Sequence, residues 1–453
     1  VGREKVVGNG MVVGLIAGFL MCAPGCGIDD ATAPEFQRTR PHLIRVPQDT
    51  DDLAFAVAVA AAGDTVLLAS GTYSDPDILG VAPGATIAGV DDPAGKPVLA
   101  GVRFAVVADG QRTRMENLRF EIGRSPGVHA DLNDAAFLEI VDCEFVSGAN
   151  ASSEGLYGIT CQGSGGYLEV SASNFSRLDG PGNEPGAALR STGRLIRCNI
   201  YNSTFTGVAD GPESAITVSP CDRLVLWNCT FTNYSTTTQG VVYAAGSNVD
   251  AAYIRFEGCA GPAIKLVDGV LKLEQCVFNA CGPGQVRIEG SRGFSNIGNC
   301  VFTDNAAPCL ILDDHSEVVL QYSLFVNNSA AGHDDVLMDL GSWCDVTWVY
   351  CTFVANDCAL AQMVWRSGLL IRSTIVTDNR VPLFVPTQEA DFWLSITGSD
   401  FYDGTGTAWT GLEAHAVGNL AVDPLYCDPE ARDFRLHAGS PAREIGSEGL
   451  GCD

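Results

Sequence analysis

At 453 residues the chain has the length of about three ordinary domains. Its 54 acidic against 27 basic residues leave a formal charge of −27, which argues against a nucleic-acid partner, because phosphate backbones are bound through basic faces. A hydrophobic share of 46% with 51 glycines fits a core renewed in many small layers with a turn at every corner.

Arg3 and Lys5 precede the apolar run 11–21, which is followed by Ala23-Pro24-Gly25-Cys26. The run is short for a membrane span and has the order of an export signal. Residues 23–26 resemble the lipobox of bacterial lipoproteins, and that resemblance implies lipidation of Cys26. Pro24 departs from the usual pattern, and plain secretion is the alternative. Residues 1–26 are thus expected to be a signal and 27–41 a tether. The mature chain would sit at the cell envelope or surface, touching the membrane only through a lipid anchor.

The next segment reads as a strand at 44–47, a helix over 51–62 with acidic residues at its start and Gly63 at its end, and a second strand at 65–69. Leu53, Phe55, Val57 and Val59 give the helix its apolar positions. Its expected task is to cap the exposed edge of the repeated strands downstream.

From Phe120 to Phe401 one pattern recurs twelve times: a few apolar residues, often Cys or Ser, any residue, then a large apolar marker. Asn228-Cys229-Thr230-Phe231 and Tyr350-Cys351-Thr352-Phe353 are clear copies, and the last markers are read as Phe353, Ile375 and Phe401. Steps of 22 to 30 residues, rich in strand formers, predict a stacked solenoid instead of separate globular cores. Cys143, Cys229, Cys276, Cys300 and Cys351 share the position two before the marker, where Ser173, Ser203, Ser323, Ser373 and Ser399 stand in other coils. Parallel side chains about 4.8 Å apart suit a disulfide poorly, so these five are expected to be buried free thiols. Cys427 and Cys452 are candidates to pair and fasten the tail. Asn233, Asn305, Asn327, Asn356 and Asn379 come shortly after the markers and are expected to stack at a turn.

Val46, Gly63-Asp64-Thr65-Val66 and Gly71-Thr72-Tyr73, together with the repeats after them, resemble the right-handed parallel β-helix proteins of the pectin-lyase-like superfamily. Asp423-Pro424-Leu425-Tyr426, Asp433-Phe434-Arg435-Leu436 and Gly439-Ser440-Pro441-Ala442 resemble the C-terminal segment of exported bacterial members. The resemblance implies an all-β, right-handed parallel β-helix of about 12 to 14 coils over residues 42–446. A short N-terminal helix caps it, 423–446 close it, and 447–453 form a tail. It implies little about function, because this architecture hosts lyases, hydrolases, epimerases, adhesins and phage spikes.

The longest steps bring in loops at 147–166, 176–194 and 327–344 that would wall a groove. Aligning the coils on their markers gives one outward row of Thr217, Tyr243, Lys265, Arg287, Ile311 and Leu337. A second reads Arg190, Ser219, Ala245, Val267, Glu289, Asp313 and Asp339. Neighbouring carboxylates repel by roughly 3 kcal/mol at an effective dielectric of about 20, so such a stack needs solvent, a cation or a raised pKa. Glu289, Asp313 and Asp339 are the candidate Ca²⁺ ligands. Lys265 and Arg287 are the candidate catalytic residues, neutralising an acidic sugar or removing its α proton in a polysaccharide-lyase-like β-elimination. Tyr243, Arg177, Arg190, Arg194 and Arg197 are the candidate substrate-binding residues for an acidic polysaccharide.

Fragments of a glycoside-hydrolase-like pattern, Asn248-Val249-Asp250, Asp313-Asp314-His315 and Gly332-His333-Asp334-Asp335, occur in the wrong order or composition. His315 and His333, each beside paired aspartates, have the chemistry to bind a transition metal or act as acid and base, but their place in turns favours a plain surface role. The rival expectation is a non-catalytic adhesion or scaffold solenoid, and a monomer is expected in either case.

Overall fold

The computed structural model describes residues 41–443 apart from 76, 124–125, 149–155, 177, 179–186, 208–213, 236–238, 292, 331–335, 381–382, 387–390 and 405–414, and also describes 445 and 451–452. Cys26, Arg177 and His333 lie outside the described residues, as do 1–40 of the expected signal and tether and, within the expected loops at 147–166 and 176–194, residues 149–155, 177 and 179–186; the rest of those two segments includes the strands Tyr157–Gln162 and Ala187–Ser191.

The repeat folds as a right-handed parallel β-helix of about 13 turns. Each coil contributes a strand to sheet A, a strand of two to four residues to sheet B and a strand to sheet C, in that order. Arg112–Glu116, Arg119–Ile122 and Val128–Asn133 are one such set. Sheet B has 14 strands, and the 29 strands of sheets A and C join at the Asn133 and Gly165 bridge. Sharp corners fall on single residues in the left-handed region. One series runs from Asn117 through Asn228 to Ser373, and the other includes Asn233, Ala280, Asp304 and Asp378. Asn and Asp tolerate that conformation better than most residues.

The marker residues are the axis of the core. Phe120, Phe145, Phe175, Phe205, Phe231, Phe256, Phe278, Phe302, Phe325 and Phe353 stand in register on sheet B. Consecutive ring centroids are 4.5–5.1 Å apart. All are buried, and each contributes about 2–3 kcal/mol of burial free energy. The expected marker Ile375 is off by one: Val376 pairs with Phe353 and Phe401, and Thr374, not Ser373, points inward. Ser373 is instead the left-handed corner residue.

The five expected thiols are buried and free, within a set of thirteen such cysteines among the described residues. Cys427 is disulfide-bonded. The asparagine stack consists of Asn305, Asn328, Asn356 and Asn379, each amide donating to the next at 2.7–3.0 Å. Asn233 and Asn327, expected in that stack, are corner residues with positive φ.

The helix spans Leu53–Val59, shorter than 51–62, and Asp52 caps it by accepting from the Phe55 amide at 3.0 Å. Leu53, Ala56 and Val57 are buried, whereas Phe55 is 56% exposed. The helix packs on strands Leu43–Val46 and Ile78–Val81 at the first coils. At the other end, Tyr426–Asp428 and Asp433–His437 form an antiparallel pair. Tyr426, Leu436 and Ala442 pack with Ile375, and Arg432 reaches Asp304. This segment therefore lies against the outer side of sheet B. No helix among the described residues is long and apolar enough to cross a membrane.

Candidate functional site

Sheet C builds the charged face. In Ile264–Val267, Val286–Glu289 and Leu310–Asp313 burial alternates strictly, so Ile264, Leu266, Val286, Ile288, Leu310 and Leu312 enter the core and the residues between them face out. The register places Tyr243, Lys265, Arg287 and Ile311 in one row and Val267, Glu289 and Asp313 in the next. Stacking coils about 4.8 Å apart sets like charges side by side within each row, and ion pairs across the rows relieve this. Lys265 Nζ is 3.1 Å from Glu289 Oε1, Arg287 Nε is 2.7 Å from the same oxygen, and Arg287 Nη2 is 3.0 Å from Asp313 Oδ2. Two cations and two carboxylates form one half-exposed network. Tyr243 stands beside Lys265 at its edge.

Three placements differ from the expected rows. Asp339 pairs with Ile311 and Gln362, so it belongs to the row of Lys265 and Arg287 and is displaced two residues along the strand from Glu289 and Asp313. Leu337, expected outside, is buried. Arg190 pairs with Thr160 and Thr217 and so stands in the first row, not the second. The coil between Ile311 and Asp339 is long, and its extra residues shift the register that marker counting assumed.

The expected Ca²⁺ ligands Glu289, Asp313 and Asp339 therefore do not converge. Glu289 and Asp313 are already bound to Arg287, and no group of three or more His, Cys, Asp or Glu among the described residues is arranged to hold a metal. The expected arginine patch is also divided. Arg190 lies on sheet C, donates to Tyr157 Oη at 2.7 Å and covers its ring. Arg194 pairs with Asp222 at 3.0 Å, and Arg197, on sheet A, donates to Asn199 at 2.7 Å. Asn248 and Asp250 are on sheet A, where Arg223 pairs with Asp250, far around the coil from Asp313.

Marker counting missed the turn after Asp313. There His315 stacks on Trp343 at 5.4 Å, Trp365 meets Trp343 edge to face at 5.5 Å, and the Arg366 guanidinium lies 4.4 Å and 4.5 Å from the two indole centroids. The readable signal was the recurrence of large aromatic or cationic residues where other coils carry Gly or Asp.

This register and charge pattern define a right-handed parallel β-helix with a self-paired charged row on one sheet. A family model described as right handed beta helix region matches residues 157–329 and 241–401, together more than half of the chain. The chain belongs to that family. No curated protein matches the sequence. Among solved structures it is similar to a mannuronic acid specific polysaccharide family 6 lyase from human gut microbiota, with 11% identity, a TM-score of 0.39, and coverage of 86% of this chain and 94% of that one. A mannuronan C-5 epimerase A-module from Azotobacter vinelandii gives 12%, 0.35, 75% and 92%. An open reading frame product of Geobacillus virus E2 gives 14%, 0.33, 66% and 55%.

Proposed function

We propose that this is an exported surface protein that binds an acidic polysaccharide along sheet C between Tyr243 and Asp313, and that Lys265 and Arg287 act on the bound uronate. The observation that carries the reading is the stacking of Tyr243, Lys265 and Arg287 on three successive coils of a strongly acidic chain. An aromatic ring beside two successive cations suits a sugar ring and its neighbouring carboxylates. The pairs to Glu289 and Asp313 hold both cations in place before a ligand arrives, which lowers the ordering cost of binding. Lysis by β-elimination is the finer form of this reading: Arg287 neutralises the uronate carboxylate, Lys265 as the free amine takes the α proton, the glycosidic C–O bond at the β carbon breaks as the C=C bond forms, and the departing sugar oxygen takes up that proton from Lys265. Dependence on Ca²⁺ is read by the same assay with and without the ion. Lipidation at Cys26 belongs to the same proposal, and a monomer suffices for it.

The rival reading, a non-catalytic adhesion or scaffold rod, is favoured by one observation: the four charges already satisfy one another. Incubation with a panel of acidic polysaccharides, with and without Ca²⁺, separates the two. The enzymatic reading expects the ultraviolet absorbance of unsaturated products on at least one substrate, reduced in Lys265→Ala. Absence of product throughout, with binding unchanged in Lys265→Ala, would leave the scaffold.

A further inference from the structure

His315, Trp343 and Arg366 occupy one position in three successive turns from sheet C to sheet A. Each is in the left-handed region, at φ 60°, 62° and 58°, a conformation uncommon for bulky side chains. The backbone bonds from Trp343 N to Trp365 O and from Arg366 N to Asp391 O, at 3.3 Å and 2.8 Å, tie these turns to their neighbours. The result is a column in which imidazole, indole and guanidinium are stacked along the axis, with Trp365 set edge-on beside it.

Two features point to a ligand. Trp343 and Trp365 remain 38% and 45% exposed, although a column serving only to pack would hide them. Arg366 is exposed and makes no ion pair among the described residues, so its guanidinium is open to an added carboxylate. One coil on, Trp393, 47% exposed, lies across Gly368. A Cβ at Gly368 would come within 2.2 Å of that indole and 2.3 Å of Asp345 Oδ1, so the glycine makes room for both.

The indoles cover faces of the Arg366 guanidinium and leave its in-plane N–H groups to donate. Such a fork matches a planar carboxylate, and the exposed indole surface matches the apolar C–H face of a sugar ring. We propose that Trp343, Trp365, Arg366 and Trp393 form a subsite for a uronate-bearing oligosaccharide, placed just beyond Asp313 so that it extends the sheet C face by further coils. The ligand class rests on the polysaccharide reading above; the site does not share its residues.

The test uses the full chain and a defined oligogalacturonate, with a neutral cello-oligosaccharide of equal length as control. Trp365→Ala and Arg366→Gln are each expected to weaken oligogalacturonate binding by about tenfold or more, with unchanged melting, and the neutral sugar should bind the wild type at least about tenfold more weakly. Binding lost in Arg287→Gln but intact in Trp365→Ala and Arg366→Gln overturns this subsite and leaves the sheet C reading. The reverse pattern supports the subsite and overturns that reading. Failure of the wild type to bind any uronate, equal binding of the neutral sugar, or retention of an acidic peptide instead would each overturn the proposal.

Discussion

Arg287 holds Asp313 of the next coil at 3.0 Å while its Nε holds Glu289 of its own strand at 2.7 Å. One guanidinium thus separates two carboxylates that the coil spacing would otherwise set side by side. Arg287→Gln should leave them facing each other at about 5 Å and cost about 1–2 kcal/mol, since both are partly exposed. The loss should shrink in high salt. Denaturant melts at low and high ionic strength check this, and a salt-independent loss would point to packing instead.

The phenylalanine column should behave as one core made of local layers. Phe278→Ala removes a ring whose neighbours are Phe256 at 5.1 Å and Phe302 at 4.6 Å, and is expected to cost about 3–5 kcal/mol. Because each coil contacts only its neighbours, hydrogen exchange should rise most around 256–302. Uniform loosening of the whole rod would contradict a layered core.

Asp400 is buried, accepts from Val422 N through Oδ1 at 3.0 Å, and has no partner for Oδ2 among the described residues. Burial pushes its carboxyl up to about 6. The folded state thus holds a proton that the unfolded state, near 3.8, has released. Stability should fall as pH rises from about 4 to above 6, by up to about 3 kcal/mol. Asp400→Asn keeps the acceptor and removes the charge. It should raise the melting temperature at pH 8 and lose that advantage at pH 4; equal melting at both would contradict the assignment.

Burial pushes the thiols of Cys143, Cys161 and Cys351 up to about 12. The thiolate is the reactive form, so these three buried cysteines should resist alkylation in the native protein and react once it is unfolded. Rapid native labelling at any of these positions, read by mass spectrometry, would contradict a sealed core.

Arg432 donates to Asp304 through Nη1 and Nη2, at 2.6 Å and 3.0 Å, and this contact holds the Asp304 carboxyl below its usual range. The contribution should be present above about pH 4 and fade as pH falls through the lowered value. Arg432→Ala should cost only about 1 kcal/mol or less at this exposed pair, yet make the 426–437 segment more accessible to protease. Unchanged proteolysis would show that Tyr426, Leu436 and Ala442 hold the segment unaided.

The fold was legible because a β-helix repeats its core residue once per coil, so Phe231, Phe256 and Phe278 announce the architecture in one dimension. The same regularity identified Cys276 and Cys300 as interior spacers. Register was legible only where coils are short and alike: Lys265, Arg287, Glu289 and Asp313 fall in the expected rows, and all lie in the compact coils. Asp339 and Arg190 come after long coils, where extra loop residues make counting from the marker fail by two. Corners were the least legible part. Asn327 and Asn328 are adjacent and chemically identical, yet one is a left-handed corner and the other joins the buried amide stack. Trp343 and Arg366 share a turn position with His315, a recurrence that counting from the sheet B marker does not line up.

The most direct test of the proposed carbohydrate face is the dissociation constant for a defined oligogalacturonate, measured for wild type and Arg287→Gln across a salt series. Binding should weaken with salt and drop by about tenfold or more in the variant. Equal affinity in the two proteins, or no binding by either, would contradict it.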